Sequence, residues 1–311
     1  MKKVVMLFLK GMAMGAADVV PGVSGGTIAF ISGIYDELLR ALARIPEAAL
    51  QLLRGRVGAA WQTANGNFLL ILFAGVLTSI FSLARLITWL LEAHPIPLWS
   101  FFFGLILIST YLVGREISRW HWSRMLMLVC GTAFAFWITV VSPIQLEGTP
   151  LILFFAGALA ICAMILPGIS GSFILLILGL YAVVLAAVKS LDLTLLAVFA
   201  AGCVIGLLCF ARLLSWLLER LRDLTLAFLC GLMLGSLNKV WPWKQTLEWQ
   251  QGSDGRQTPL VQQNLLPHDF ALASGQDSQL ALALVLAICG VLLVWVLERF
   301  ASARRVASNE F

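Results

Sequence analysis

Long apolar runs alternate with short polar and basic segments along this chain. A helix that crosses a bilayer needs about 20 apolar residues at ~1.5 Å rise each. Six stretches approach that length: residues 68–91, 98–113, 125–141, 193–218, 224–240 and 280–297. Two other apolar regions are interrupted. Pro21-Gly22-Val23-Ser24-Gly25-Gly26 breaks the region within 4–42, and Pro167-Gly168-Ile169-Ser170-Gly171-Ser172 breaks 151–188. The run from Thr27 to Tyr35 is too short to cross on its own. Both regions are therefore expected to form helical hairpins that re-enter on the side they left. Segment 36–67 is basic with apolar spacing, which predicts a path along the membrane interface. Segment 241–278 reads as an external loop. Its two polar strand-like stretches flank Gly252-Ser253-Asp254-Gly255, the pattern of a small β-hairpin.

Composition fits this pattern. Of 311 residues, 60% are hydrophobic and 12% charged, too few charges to cover a water-facing surface. A soluble enzyme and a disordered scaffold are both excluded. The net charge of +5 needs no nucleic-acid partner, because Lys and Arg gather in cytoplasmic loops and set orientation. With both termini cytoplasmic and each hairpin returning to its own side, 15 of the 21 Lys and Arg fall inside and 4 outside. The other two, Arg85 and Arg212, lie within spans. The six cysteines sit in apolar stretches without a C-x-x-C pair, and the three histidines lie between spans. Neither a disulfide framework nor a metal site is expected. The N-terminus resembles a signal peptide but lacks an A-x-A-like site, so it is expected to be retained.

The chain also resembles itself. Pro21-Gly-Val-Ser-Gly25 aligns with Pro167-Gly-Ile-Ser-Gly171, and the same register places Gly33 on Gly179 and Tyr35 on Tyr181. Ala84-Arg-Leu-Ile-Thr-Trp-Leu-Leu-Glu92 aligns with Ala211-Arg-Leu-Leu-Ser-Trp-Leu-Leu-Glu219, followed by Gly104 on Gly231 and Ser109 on Ser236. Residues 1–141 form one repeat and 150–298 the other. Three spans, an odd number, separate the hairpins, so the second repeat is expected to enter from the opposite face. The expected fold class is an all-α polytopic membrane protein with an inverted-topology repeat, the plan of secondary transporters.

The interrupted segments carry the chemistry. Ser is a good helix N-cap, and Gly admits close approach to the backbone. The first N–H groups of a helix lack internal partners and carry about half a positive charge. Two such ends meeting near the midplane would cradle an anion at Ser24, Gly25, Gly26 and Thr27 with Ser170, Gly171 and Ser172. The alternative is a structural kink, which two copies in inverted order make the weaker reading. Arg85 and Arg212 occupy matching positions. They could grip a phosphate bidentately, or snorkel and pair with Glu92 and Glu219. Asp18 is the single intramembrane carboxylate. Coupling to H⁺ or Na⁺ ranks ahead of neutralising a helix end or capping a turn. Gly11-x-x-x-Gly15, Gly202-x-x-x-Gly206 and Gly231-x-x-x-Gly235 read as helix-packing faces.

Gly15-Ala-Ala-Asp-Val-Val-Pro-Gly-Val-Ser-Gly-Gly-Thr27 and Leu166-Pro-Gly-Ile-Ser-Gly-Ser172 resemble the signature of the bacterial polyprenyl-phosphate transporter family, over nearly the whole chain. The resemblance implies return of undecaprenyl phosphate from the outer to the inner leaflet of the inner membrane, with the lipid as partner and no cofactor. A homo-oligomer is compatible with it. Two rivals remain. Undecaprenyl-diphosphate phosphatases also carry P-G-x-S, but followed by Arg, where this chain has Gly25 and Gly171, and with acidic companions it lacks. An ion-coupled carrier of a small soluble anion would share the fold logic.

Overall fold

A computed structural model of the chain describes residues 2–20, 23–251 and 257–308. It is mostly helical. The first half begins with α1 (Lys2–Asp18) and α2 (Gly25–Ile31), then three short helices, α3 (Tyr35–Ala43), α4 (Ile45–Leu53) and α5 (Val57–Thr63). Three long helices follow: α6 (Gly66–Ala93), α7 (Pro95–Arg115) and α8 (Trp122–Val140). The second half runs α9 (Pro150–Ile165), α10 (Gly171–Ile177), α11 (Tyr181–Ser190), α12 (Leu193–Arg220) and α13 (Arg222–Ser236). Strands β1 (Lys244–Gln251) and β2 (Gln257–Asn264), α14 (Pro267–Ser274) and α15 (Leu280–Ser308) complete it.

Local chemistry explains the boundaries. Proline opens α7, α9 and α14, where its missing N–H costs nothing. Asp192 caps α12 by accepting from the N–H groups of Thr194 and Leu195, both at 3.1 Å. The corners after α2 and α10 share one device. Gly33 and Gly179 both have φ 71°, a left-handed turn that favours glycine. Ile34 N–H bonds back to Ala29 and Leu180 N–H to Leu175.

By length and composition, four helices can cross a membrane: α6, α7, α8 and α12. A fifth span arises if α10 and α11, bent by 107° at their junction, are taken together. The expected stretch 224–240 is shorter than its apolar run: α13 stops at Ser236, and a turn over 237–240 follows. The last helix keeps only Leu280–Val296 as its apolar part. The expected β-hairpin forms, with Lys244 opposite Asn264 in an antiparallel register and a bulge between Thr246 and Glu248. Its expected turn, Gly252 to Gly255, lies outside the described residues, as do Pro21 and Gly22.

Four helix pairs pack most closely: α1 with α6, α9 with α12, α7 with α15, and α13 with α8. Glycines make this possible. A Cβ on Gly11 would collide with the carbonyl of Leu72, and one on Gly75 with that of Phe8. The α9/α12 pair repeats this with Gly157 against Phe199 and Gly202 against Phe154. In α7/α15 the contacts are Gly104 with Ala287 and Gly290 with Phe101. In α13/α8 they are Gly231 with Leu128 and Gly131 with Phe228. Inside, Leu72, Ile106, Leu226, Leu229, Leu232 and Met233 are wholly buried. Outside, Phe73, Leu77, Phe81, Val129, Trp137 and Val204 are exposed on the long helices. An apolar exterior over a packed interior makes this a polytopic membrane protein.

Overpacking such a contact costs about 1–3 kcal/mol. Gly231→Val is expected to lower the melting temperature in detergent by that scale. Gly58→Ala, with nothing within 4 Å of the added methyl, is the control. It gains up to about 1 kcal/mol of helix propensity. Equal melting of the two variants would contradict the packing argument.

Candidate functional site

The two interrupted segments meet. Ser24 sits just before α2 and is almost wholly buried. Its hydroxyl accepts from Gly26 N–H at 3.1 Å, and donates across 140 residues to the carbonyl of Met164 at 2.9 Å. Thr27, fully buried, accepts from Gly168 N–H at 2.9 Å. Tyr35 donates its hydroxyl to the carbonyl of Ile165 at 3.1 Å. Three hydrogen bonds between described residues therefore tie the first tip to the end of α9 and the turn after it.

Steric closeness enforces the same join. A Cβ on Gly26 would lie 2.5 Å from the carbonyl oxygen of Ile165. Gly168 has φ 89°, and a Cβ there would lie 2.8 Å from Ser236 Oγ. Both its conformation and its surroundings call for glycine.

The helix ends are not equivalent. At α2, Gly25 N–H donates to Asp18 Oδ1 at 2.7 Å, and Ser24 caps Gly26. Asp18 thus supplies a negative charge at the helix start, where the macrodipole favours one. At α10, Ser170 provides no side-chain cap, and its hydroxyl instead pairs with that of Ser172 at 2.9 Å. Gly171 packs on the carbonyl of Ala160.

The structure separates the arginines from this centre. Arg85 is exposed on α6, and makes no hydrogen bond or ion pair among the described residues. Arg212 is exposed on α12. It donates from Nε to the carbonyl of Ala43 at 3.2 Å and meets Glu47 at 3.4 Å. Its ion pair is therefore with Glu47, not with Glu219 two turns away. Glu92 and Glu219 are both exposed. Among the described residues, no group of three His, Cys, Asp or Glu is placed to hold a metal.

A family sequence profile described as undecaprenyl phosphate translocase-like matches residues 14–258, a range that contains both tips. The chain belongs to this family. A Vibrio cholerae serotype O1 family protein named polyprenyl-phosphate transporter is 56% identical over 295 residues, covering 94% of this chain and 96% of the relative. A Staphylococcus aureus protein of the same name is 34% identical over 254 residues, covering 75% and 85%. No solved structure matches significantly.

Three polar groups that the sequence did not single out stand at the tips or line a cavity in the fold. Tyr35 carried a signal, its match with Tyr181, but nothing local pointed to Ile165. Lys239 and Lys244 counted only toward orientation. In the fold, both line one cavity against the α10 arm.

Removing the Thr27 hydroxyl strands the buried Gly168 N–H, at about 1–3 kcal/mol. Thr27→Val is expected to lose that stability in detergent unfolding, whereas Thr27→Ser keeps the acceptor and most of it. Val and Ser variants that unfold alike would remove the bond from the account.

Proposed function

We propose that this chain returns undecaprenyl phosphate from the outer to the inner leaflet of the bacterial inner membrane, holding the phosphate near the paired tips. The observation that carries this reading is the meeting of two polar, glycine-lined tips, 140 residues apart in sequence, inside an otherwise apolar bundle. The names of the two relatives supply the substrate class. A phosphate monoester carries about −1.5 to −2 charges at neutral pH. Its unaided passage through hydrocarbon is prohibitive, so a carrier needs only to shield the headgroup while the polyprenyl tail stays in lipid.

The halves act as inverted repeats in this proposal. Their support lies in contacts that recur register for register. Leu72–Gly11 and Phe8–Gly75 become Phe199–Gly157 and Phe154–Gly202 under the alignment that the sequence supplies. Gly104–Ala287 and Phe101–Gly290 become Gly231–Leu128 and Phe228–Gly131. In this reading the hairpins are re-entrant, both termini are cytoplasmic, and the repeats 1–141 and 150–298 alternate between outward- and inward-open states by motion between the helix pairs. The tips part to admit the headgroup from one face and then the other. Ser24, Gly25, Gly26, Thr27, Ser170, Gly171 and Ser172 bind the phosphate. Arg85 and Arg212, one toward each face, attract the anion before it reaches them.

Asp18 couples the cycle to protons. While charged, it occupies the Gly25 N–H that a phosphate would use. Protonation releases that N–H. Na⁺ fits less well, because the neighbour Asp18 holds is an N–H donor rather than a further oxygen ligand.

Two expectations test this. Proteoliposomes holding the full chain should move a polyprenyl phosphate between leaflets. The double variant Ser24→Ala/Thr27→Val should slow that movement about tenfold or more, the scale of 1.4 kcal/mol. Unchanged rates would end the tip assignment. Separately, Asp18→Asn should leave transport insensitive to an imposed proton gradient that accelerates the wild type. A variant that still responds to the gradient would assign coupling elsewhere.

A further inference from the structure

A cavity of about 330 Å³ opens beside the β-hairpin, at the end of the bundle opposite α3–α5 in the proposed topology. That size lies within the range of small-ligand sites, about 300–1,000 Å³. Ser142, Phe173, Lys239, Lys244, Gln262 and Asn264 are among its walls, and no carboxylate among the described residues is. Lys239 Nζ lies 4.3 Å from the Phe173 ring centre and 3.5 Å from Gln262 Oε1. Lys244 Nζ lies 3.9 Å from the Trp99 ring centre and donates to the carbonyl of Lys239. Rings, an amide and a carbonyl hold the two ammonium groups in place, but none of them carries a negative charge. Burial holds the Lys244 amine well below its usual range, and the neighbouring Lys239 charge pushes in the same direction. Such a pair favours an anion that would neutralise both.

We infer that this lysine cavity is the docking site for the phosphate group of the transported lipid before it reaches the hairpin tips. The inference rests on the transport reading above. Its position supports it. Phe173 follows Ser172 directly, and Lys239 lies three residues beyond Ser236, whose hydroxyl stands against Gly168. The cavity thus adjoins the tip region along both α10 and α13.

The opposite end sharpens the argument. A cavity of about 250 Å³ there is lined by Phe30 and Ile31, which match Leu176 and Ile177 in the repeat register. Its charged lining residues are Arg115, Glu116 and Glu298, and Lys10 donates to the nearby Ser32 carbonyl at 2.5 Å. Cations there are offset by carboxylates. Two cavities in equivalent places, one with only cations among its described charged residues and one mixed, give the anion a preferred face of loading and a weaker face of release.

Binding of farnesyl phosphate, a short isoprenyl monophosphate, to the full chain in detergent tests the site, with farnesol and inorganic phosphate alongside. Lys239→Met and Lys244→Met keep the apolar stems against the rings. Each should weaken farnesyl phosphate binding about tenfold, the loss of one charge-assisted hydrogen bond. Lysine-to-arginine variants should retain most of it, and farnesol should be indifferent to both. In the wild type, farnesyl phosphate should protect Lys239 and Lys244 from an amine-acetylating reagent, read by peptide mass spectrometry, which needs no variant to fold. Normal binding in both methionine variants, or no protection in the wild type, overturns the site even if the protein transports lipid. If inorganic phosphate alone binds and protects while no lipid is moved, the anion site stands and the transport reading fails. Binding of neither probe overturns the site.

Discussion

A helix broken inside hydrocarbon frees N–H and C=O groups that no water can reach, each at a cost of several kcal/mol. This chain interrupts its helices at two Pro/Gly/Ser segments, which the proposed topology places at depth, and the packing around them reflects how those groups are satisfied. The carbonyls at the end of α9 receive the hydroxyls of Ser24 and Tyr35 from the other half. Gly168 N–H finds Thr27, and Gly25 N–H finds Asp18. Neither break could be placed in lipid alone. Each is tolerable because the other stands against it, so the two halves must meet at their tips.

Glycine contacts make that meeting possible. Between helices in lipid there is no hydrophobic drive, because lipid tails are as apolar as leucine. Close backbone approach and van der Waals contact hold the pairs instead. α7 of the first half packs on α15 of the second, and α13 of the second packs on α8 of the first. The halves are thereby interleaved, while α1/α6 and α9/α12 remain pairs within one half. A bundle built this way has four closely packed two-helix units, and the corners at Gly33 and Gly179 lie outside them.

The positions of the breaks were legible because their causes are local. α1 ends at Asp18 and α2 starts at Gly25, α9 ends at Ile165 and α10 starts at Gly171, so each break falls at its Pro/Gly/Ser segment. Four of the six expected spans were legible from apolar length; the exceptions are α13, whose apolar run continues through a turn, and α15, whose apolar part is only Leu280–Val296. What was not legible is partnership across the chain. Arg212 and Glu219 sit on one helix, so sequence spacing offered them to each other, yet Glu47 arrives from 165 residues away. Lys239 and Lys244 flank a turn in sequence. Only folding brings Phe173 and Trp99 beneath them. Pattern reports which face of an element is apolar; it does not report which distant element covers it.

The tip latch also bounds the energetics of a carrier. Three hydrogen bonds, each worth about 1 kcal/mol net, tie the two halves together at the tips. A ligand shifts such an equilibrium only by its difference in affinity for the closed and open states. A phosphate that replaced those three bonds one for one would give no net drive beyond opening. A doubly charged headgroup does better, since charge-assisted bonds run at roughly twice the strength of neutral ones. The surplus must stay small, because a headgroup held too tightly at the centre would not leave it. Tips lined by hydroxyls and backbone amides, with the Asp18 carboxylate beside one of them and the cations kept toward the ends of the bundle, suit both conditions. In the proposed cycle, strong fields gather the anion at the periphery, and weaker, geometrically matched dipoles pass it across the middle.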